Sequence, residues 1–452
     1  MEKLIDIIKD SSRVFISNIP EKYNEDCGSG SENNCFIGKA DAVVIVKNTD
    51  EVSKIMKFAY DNNIKVTPRG AATGLSGGAI PHLGGIVIDL SQMDKIIEIE
   101  PETFTATIEP GVLLKTLRTE VEKQNLFYPP DPGSKEASIG GNISTNAGGM
   151  RAVKYGTTKD YIRGLEVVLA DGKIINLGSK NAKDSTGLQL KYLFTAAEGT
   201  LGIITKCIVK LLPLPSKTIT TVFAFSDMKS GIETINKIML ANVDPVTVEF
   251  LEGKLINLAK EYSKIEFPFP DKEAYMIVSY DGYALDEKIR KSKRIAEEQS
   301  AEFLELTTEQ EKDIWKMRGE ASEAIRDKHN FIESVDIVVP VNKIPQFIDK
   351  INELCEEIGT IAYTFGHAGD GNIHSMVIKD NIDSDKINKL FDDLYEYIYN
   401  KLGGLTSGEH GIGLVKKKHF IENTDPSIIE LMNEIKRVFD PKGILNAEKV
   451  YS

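Results

Sequence analysis

Six histidines are spread along 452 residues, and three of them fall in two short glycine-rich motifs. Gly366-His-Ala-Gly-Asp-Gly-Asn-Ile-His374 sets His367 and His374 around one turn. Ser407-Gly-Glu-His-Gly-Ile-Gly413 adds Glu409 and His410 on a second glycine loop. Two imidazoles and a carboxylate are a common ligand set for a divalent cation. His82, His329 and His419 sit in no motif and read as surface or core residues. A second chemistry is written in glycine. Pro68-Arg-Gly-Ala-Ala-Thr-Gly-Leu-Ser-Gly-Gly78 lets several backbone N–H groups converge on one anion. Its spacing is neither that of a Walker loop nor that of a Rossmann turn. The stretch from Pro129 to Gly149 is nearly free of bulky side chains, and Glu198-Gly-Thr-Leu-Gly-Ile-Ile204 is a third small-residue segment. Three such loops fit a long cofactor lying against backbone.

The surrounding elements must position these groups. Runs at 361–365 and 373–378 read as the strands of a hairpin whose mouth holds both imidazoles. Strands are expected at 42–46, 64–67, 85–90 and 106–108, with a helix over 111–124. Thr49 and Asp50 are expected to cap a helix whose Val52, Ile55, Met56 and Ala59 recur at helical spacing. In the middle third, strand–helix–strand units recur at 220–250, 274–306 and 336–365. Such units without a phosphate loop predict an antiparallel sheet with helices on one face. A last helix is expected over 426–439.

Composition sets the frame. With 41% hydrophobic and 27% charged residues the chain is ordinary globular material, long enough for two or three domains. A net charge of −13 argues against nucleic acid as a partner. No apolar run is long enough for a transmembrane helix, and the N-terminal MEKLIDIIKD lacks the apolar core of a secretory signal. Cys27, Cys35, Cys207 and Cys355 form no C-x-x-C pair, which excludes a zinc ribbon and fits a reducing cytoplasm.

The P-R-G-x-x-T-G-L-S-G-G loop, the D-P-x-S…A-S-I-G-G-N loop and E-G-x-L-G-I-I resemble the flavin-binding domain of the vanillyl-alcohol oxidase/p-cresol methylhydroxylase superfamily. Within it the chain is similar to the FAD-linked D-2-hydroxyacid dehydrogenases, which include D-lactate dehydrogenases and glycolate oxidase flavin subunits. The resemblance runs over residues 36–450. It implies an α+β fold: a two-subdomain FAD-binding domain over 1–213, an α+β cap domain with an antiparallel sheet over 214–402, and a C-terminal segment over 403–452 that completes the active site. It implies that Pro68, Arg69, Gly70, Ala71, Thr73, Gly74, Leu75, Ser76 and Gly77 wrap the FAD pyrophosphate. Asp131, Pro132, Ser138, Gly141, Asn142, Thr145 and Asn146 would line the pyrophosphate and isoalloxazine. Glu198, Gly199, Gly202 and Ile204 would meet the adenosine end, and Asn446 would return to the ring. No histidine lies within 68–78 or 129–149, so the FAD is expected to be non-covalent.

The same resemblance assigns His367, His374 and Glu409 to one divalent metal, zinc ahead of iron or manganese, and His410 to the role of base. It places Arg318, in Trp315-Lys-Met-Arg318 ahead of a helix-like segment, as a bidentate clamp on the substrate carboxylate. The implied reaction is oxidation of a D-2-hydroxy acid. The acid chelates the metal, His410 takes the hydroxyl proton and the C2 hydride passes to the flavin N5. A non-catalytic flavin subunit would have lost the metal residues. A non-redox relative such as an ether-lipid synthase lacks G-H-x-G-D-G-N-x-H as a metal site, and a metal hydrolase would leave the glycine loops unexplained. Relatives of the 2-hydroxyglutarate type carry Lys where this chain has Ser334 and Asn where it has Met376. Both departures favour a short monocarboxylate, D-lactate first and glycolate next. A separate redox acceptor, such as an electron-transferring flavoprotein, is the expected partner.

Overall fold

A parallel sheet comes first, its two central strands carrying the apolar runs A-V-V-I and I-V-I. Ala42–Ile45, Ile86–Asp89 and Val66–Arg69 pair in parallel, and Val14–Phe15 adds an antiparallel edge. Strands covered on both faces need such unbroken apolar runs. The computed structural model describes residues 1–29, 36–330 and 332–452, so Cys35 lies outside the described residues. Helix Thr49–Asp61 covers the sheet with Val52, Ile55, Met56 and Ala59, all fully buried. Its cap is Asn48 and not Thr49 or Asp50, because the Asn48 side chain accepts the Glu51 N–H at 3.0 Å. A second, antiparallel sheet follows in the order Ile96–Glu100, Thr105–Ile108, Ile203–Lys210, Ile162–Val168, Ile174–Gly178.

The long small-residue stretch is not all loop. Helix Ile139–Thr145 forms inside it, capped by Ser138, whose hydroxyl accepts the Gly141 N–H. The helix expected over 111–124 is shorter, Leu114–Glu122.

The cap domain is a seven-stranded antiparallel sheet. Its order is Glu302–Glu305, Thr218–Phe225, Ala274–Asp281, Thr247–Glu252, Ala362–His367, Asn372–Ile378, Ile332–Val338. Helices cover both of its faces, which corrects the one-sided arrangement expected from the strand–helix–strand units. Phe223, Phe250 and Met276 pack under helices Met228–Leu240, Leu285–Glu298, Ile344–Ile358 and Ser384–Tyr397. Val222, Leu251 and Ile277 pack on the other side with Gly253–Ser263, Thr308–Gly319 and Ala321–Lys328. The reason lies in the strands: Thr247–Glu252 and Ala274–Asp281 are buried at every position, so neither face faces water.

After helix Pro426–Phe439 the chain returns to the first sheet. Leu445 bridges Val66 in parallel, and Ile444 and Leu445 enter that sheet's core. No helix among the described residues is long and apolar enough to cross a membrane.

Candidate active site

Strand register decides where the histidines go. In the cap sheet Glu249 stands opposite His367, Phe365 opposite His374, and His374 opposite Asp336. Directly opposed residues share a face, and side chains alternate along a strand. Glu249, His367, His374 and Asp336 therefore meet on one face.

Asp336 then draws the Ser407–Gly413 loop over them. Its buried carboxylate accepts the His410 backbone N–H at 3.0 Å, the Ser407 hydroxyl at 2.8 Å, the Lys416 ammonium at 2.6 Å and the Asn372 amide at 2.8 Å. Burial opposes its charge, but the facing His410 and Lys416 hold it well below the usual carboxylate range.

In this arrangement Glu409 Oε1 stands 3.8, 3.4 and 3.8 Å from the Nε2 atoms of His367, His374 and His410. Ligand atoms about 2.0–2.1 Å from a tetrahedral zinc lie about 3.4 Å from one another. His367 Nε2 and Glu409 Oε2 are buried with no hydrogen-bond partner. Orphaned polar atoms of this kind are costly unless something fills the space between them. His367, His374 and Glu409 thus fit a divalent cation. His367 Nδ1 lies 2.5 Å from Glu249 Oε1, which fixes the ring and turns Nε2 to the centre. Burial disfavours charge on His367, yet Glu249 and then Glu409 lift its pKa well above the usual value. Burial also pushes the neighbouring Asp370 up to about 6. The pocket is one in which added positive charge is welcome.

Arg318 lies in the last turn of helix Thr308–Gly319, directly ahead of helix Ala321–Lys328 as expected. Its guanidinium rests over the Phe365 ring at 4.8 Å and donates from Nε and Nη2 to Glu249 Oε2, at 3.0 and 2.7 Å. Glu249 therefore joins Arg318 to His367. His82, His329 and His419 stand apart: His329 Nδ1 is 3.1 Å from Asp380, and His419 stacks on Tyr395.

The glycine loops enclose about 950 Å³ of atom-free space, part of it open to solvent and large for a small-molecule site. Pro68, Arg69, Gly70, Ala71, Thr73, Gly74 and Ser76 line it, with Ser138, Gly141, Asn142 and Thr145 facing them. Glu198, Gly199, Gly202, Ile204 and Asn446 complete the wall, and His410 closes one end. A Cβ on Gly70 would run into the Ser138 hydroxyl, so a larger residue there would have to displace that helix cap. A groove walled by small residues and free backbone fits a dinucleotide.

Five expected residues lie outside this wall. Leu75 is largely exposed, and Gly77 packs against Leu414. Asp131, beside Pro132, is held by Arg118 at 2.6 Å and Arg151 at 3.4 Å. Asn146 ends helix Ile139–Thr145 and accepts the Lys159 N–H. Arg69 lines the cavity by position only, because its guanidinium turns away to donate to the carbonyls of Glu25 and Lys22.

The two sites meet at His410, which stands in the histidine cluster and lines the cavity. A Cβ on Gly148 would stand 3.2 Å from Glu409 Oε2. Ser76 donates to the His410 and Gly411 carbonyls, and Glu198 accepts the Ile412 and Gly413 N–H groups. Cavity and histidine cluster are thus parts of one active site.

The model of FAD-linked oxidases, C-terminal domain, matches residues 214–450, and that of the FAD binding domain matches 40–178. The chain belongs to the FAD-linked oxidases. It is 38% identical to a D-lactate dehydrogenase of Anaerostipes hadrus, over 91% of this chain and 90% of that one. It is 36% identical to the glycolate oxidase subunit GlcD of Bacillus subtilis, over 91% and 89%. The solved structure of p-cresol methylhydroxylase with substrate bound superposes with a TM-score of 0.80 at 17% identity, covering 98% of this chain and 95% of that one. The protein is therefore an FAD-linked oxidoreductase of the D-lactate, glycolate and D-2-hydroxyglutarate dehydrogenase type with the vanillyl-alcohol oxidase fold.

Sequence reasoning did not find Glu249, Lys416 or the organising role of Asp336. Glu249 sits in T-V-E-F-L-E, where alternation alone reads it as a solvent-facing strand residue. Only its register opposite His367 reveals it. Ala72, Gly78, Ala79, Gly140 and Ser144 also line the cavity, and their only signal is small size within the glycine loops.

Proposed function

We propose that this protein oxidises D-lactate to pyruvate, with a divalent metal at His367, His374 and Glu409 and a separate acceptor for the electrons. The observation that carries this is the convergence of three imidazole Nε2 atoms on Glu409 Oε1 against the wall of the FAD cavity. When bound, the metal supplies Lewis-acid activation of the hydroxyl, and non-covalent FAD supplies the two-electron acceptor for the C2 hydride. The chain does the rest. His410 Nε2 faces the centre while its Nδ1 faces Asp336 at 3.7 Å, so Nε2 is the atom that takes the hydroxyl proton. Burial pushes the His410 pKa down, which leaves the imidazole unprotonated at neutral pH, as a base must be.

Register supports a short acid. Ser334 and Met376 are directly opposed, two positions along their strands from Asp336 and His374 on the same face. This uncharged pair beside the site offers no cationic partner to a second carboxylate. The test is a substrate panel of D-lactate, glycolate and D-2-hydroxyglutarate with a dye acceptor, with and without chelator. D-lactate should give the highest kcat/KM, and the chelator should suppress it. Preference for the dicarboxylate would overturn the substrate, and turnover untouched by full metal removal would overturn the metal.

Arg318 is the proposed clamp. Two of its five N–H groups go to Glu249, leaving donors for a substrate carboxylate. Lysine cannot reproduce that fork. Arg318→Lys is expected to raise KM and lower kcat/KM by about 10- to 150-fold, equivalent to losing ~1.5–3 kcal/mol of charge-assisted bonding. Unchanged kcat/KM on D-lactate would move the clamp elsewhere.

A further inference from the structure

Lys449 lies in the C-terminal segment behind the FAD cavity, with 0% of its surface exposed. Its ammonium donates to Gly78 O and Asn446 Oδ1, each at 2.8 Å, and both of those residues line the cavity. Neither acceptor is charged. The backbone around it is held in an unfavourable form: Asn446, Glu448 and Val450 are left-handed at φ 40°, 59° and 61°. Such conformations persist where the surroundings over-determine them, often at binding sites. The chemistry described above does not use this amine.

The cavity is short of positive charge for its ligand. FAD carries a diphosphate diester that is anionic throughout the physiological range. Among the described residues of the wall, Arg69 is the sole lysine or arginine, and its guanidinium is turned to the Glu25 and Lys22 carbonyls. Lys449 is a buried cation hydrogen-bonded to two residues of that wall.

We propose that Lys449 is the countercharge of bound FAD, and that the cofactor's arrival draws a proton from solvent onto its Nζ. This rests on FAD filling the cavity and not on which acid is oxidised or on the metal.

Burial disfavours an ammonium and lowers the Lys449 pKa to about 7, although the Glu198 and Asp26 carboxylates favour the charge. A bound anion favours the charged form and raises it. The sign follows: FAD should bind most tightly below about pH 7 and progressively less tightly above it, because the proton must then be taken up. Other titratable groups face this amine. Asp26 accepts the Gly77 N–H from the N-terminal segment, and Glu198 approaches from the opposite loop. His82 feels Lys449, Glu448 and Lys417, and the Tyr451 phenol pairs with Thr200. A pH slope owed to any of these would survive loss of the lysine.

The test uses the full chain freed of flavin and titrated with FAD by fluorescence quenching. For the wild type, the Kd for FAD should rise about tenfold per pH unit above about pH 7.5, with uptake of about one proton per FAD in weak buffer near pH 8. Lys449→Met should bind FAD at least about tenfold more weakly at about pH 6.5 and show no such slope. A flat wild-type profile without proton uptake would overturn the proposal, as would the same slope in both proteins. If the methionine variant fails to fold, Lys449→Arg decides instead: its guanidinium is charged at every pH used, so slope and proton uptake should both vanish, and their persistence would overturn the proposal. Activity is not read, so failure of the substrate assignment leaves this result standing.

Discussion

Glu409→Ala is expected to release the metal while FAD stays bound. Glu409 Oε1 is the point on which His367, His374 and His410 converge, and Oε2 is buried without a partner. Without the carboxylate, the three Nε2 atoms would face one another with no anion between them. Loss of a supporting outer-shell group already costs about 10- to 100-fold in metal affinity, and loss of a ligand should cost more. A Lewis acid contributes several kcal/mol to the transition state, so turnover should fall by at least about 100-fold. The flavin spectrum should persist, because Glu409 backs onto Gly148 and is not part of the FAD cavity wall. Elemental analysis and absorbance on one sample read both. Full metal occupancy in the variant would take Glu409 out of the ligand set.

Much of this site is legible in the sequence because its residues come in local packets. His367 and His374 share one hairpin, Glu409 and His410 share one loop, and the glycine loops are continuous segments. What is illegible depends on register and on long-range return of the chain. Glu249 is 118 residues from His367 in sequence and 2.5 Å from it in space. Nothing in T-V-E-F-L-E marks that glutamate. Likewise, the lysine at 449 reads as a surface residue near a terminus until Leu445 pairs with Val66 and carries it behind Gly78. The two-sided cap sheet was missed for a related reason. Thr and Glu in its strands mimic an exposed face, but Thr220, Thr221 and Glu252 are buried and hydrogen-bonded within the sheet or to neighbouring elements. Asp131 and Asn146 pose the converse case. Their motif suggested cofactor contact, but one is held between two arginines and the other ends a helix.

His410→Ala should leave metal and FAD largely in place and lower kcat by about 10²–10⁴-fold, the usual contribution of a positioned base. His410 differs from His367 in what supports its ring, and from both ligand histidines in lining the FAD cavity. His367 is anchored through Nδ1 by Glu249 at 2.5 Å, as a metal ligand is. His410 has a looser hold, with Nδ1 3.7 Å from Asp336, and it alone of the three lines the FAD cavity. It stacks on His374 with ring centroids 5.2 Å apart, and its Nε2 stands 3.8 Å from Glu409 Oε1. Burial lowers its pKa, so it is the free base at neutral pH. Wild-type kcat/KM should therefore hold at neutrality and fall on acidification below the ordinary imidazole value of about 6.5. The alanine variant should lose that acidic limb along with its rate. A substrate deuterated at C2 gives a second reading. If proton removal has become limiting in the variant, its isotope effect should shrink relative to wild type. A variant that keeps wild-type kcat, or keeps the acidic limb, would assign the proton to another group, and Asp370 on the neighbouring turn would be the next residue to substitute.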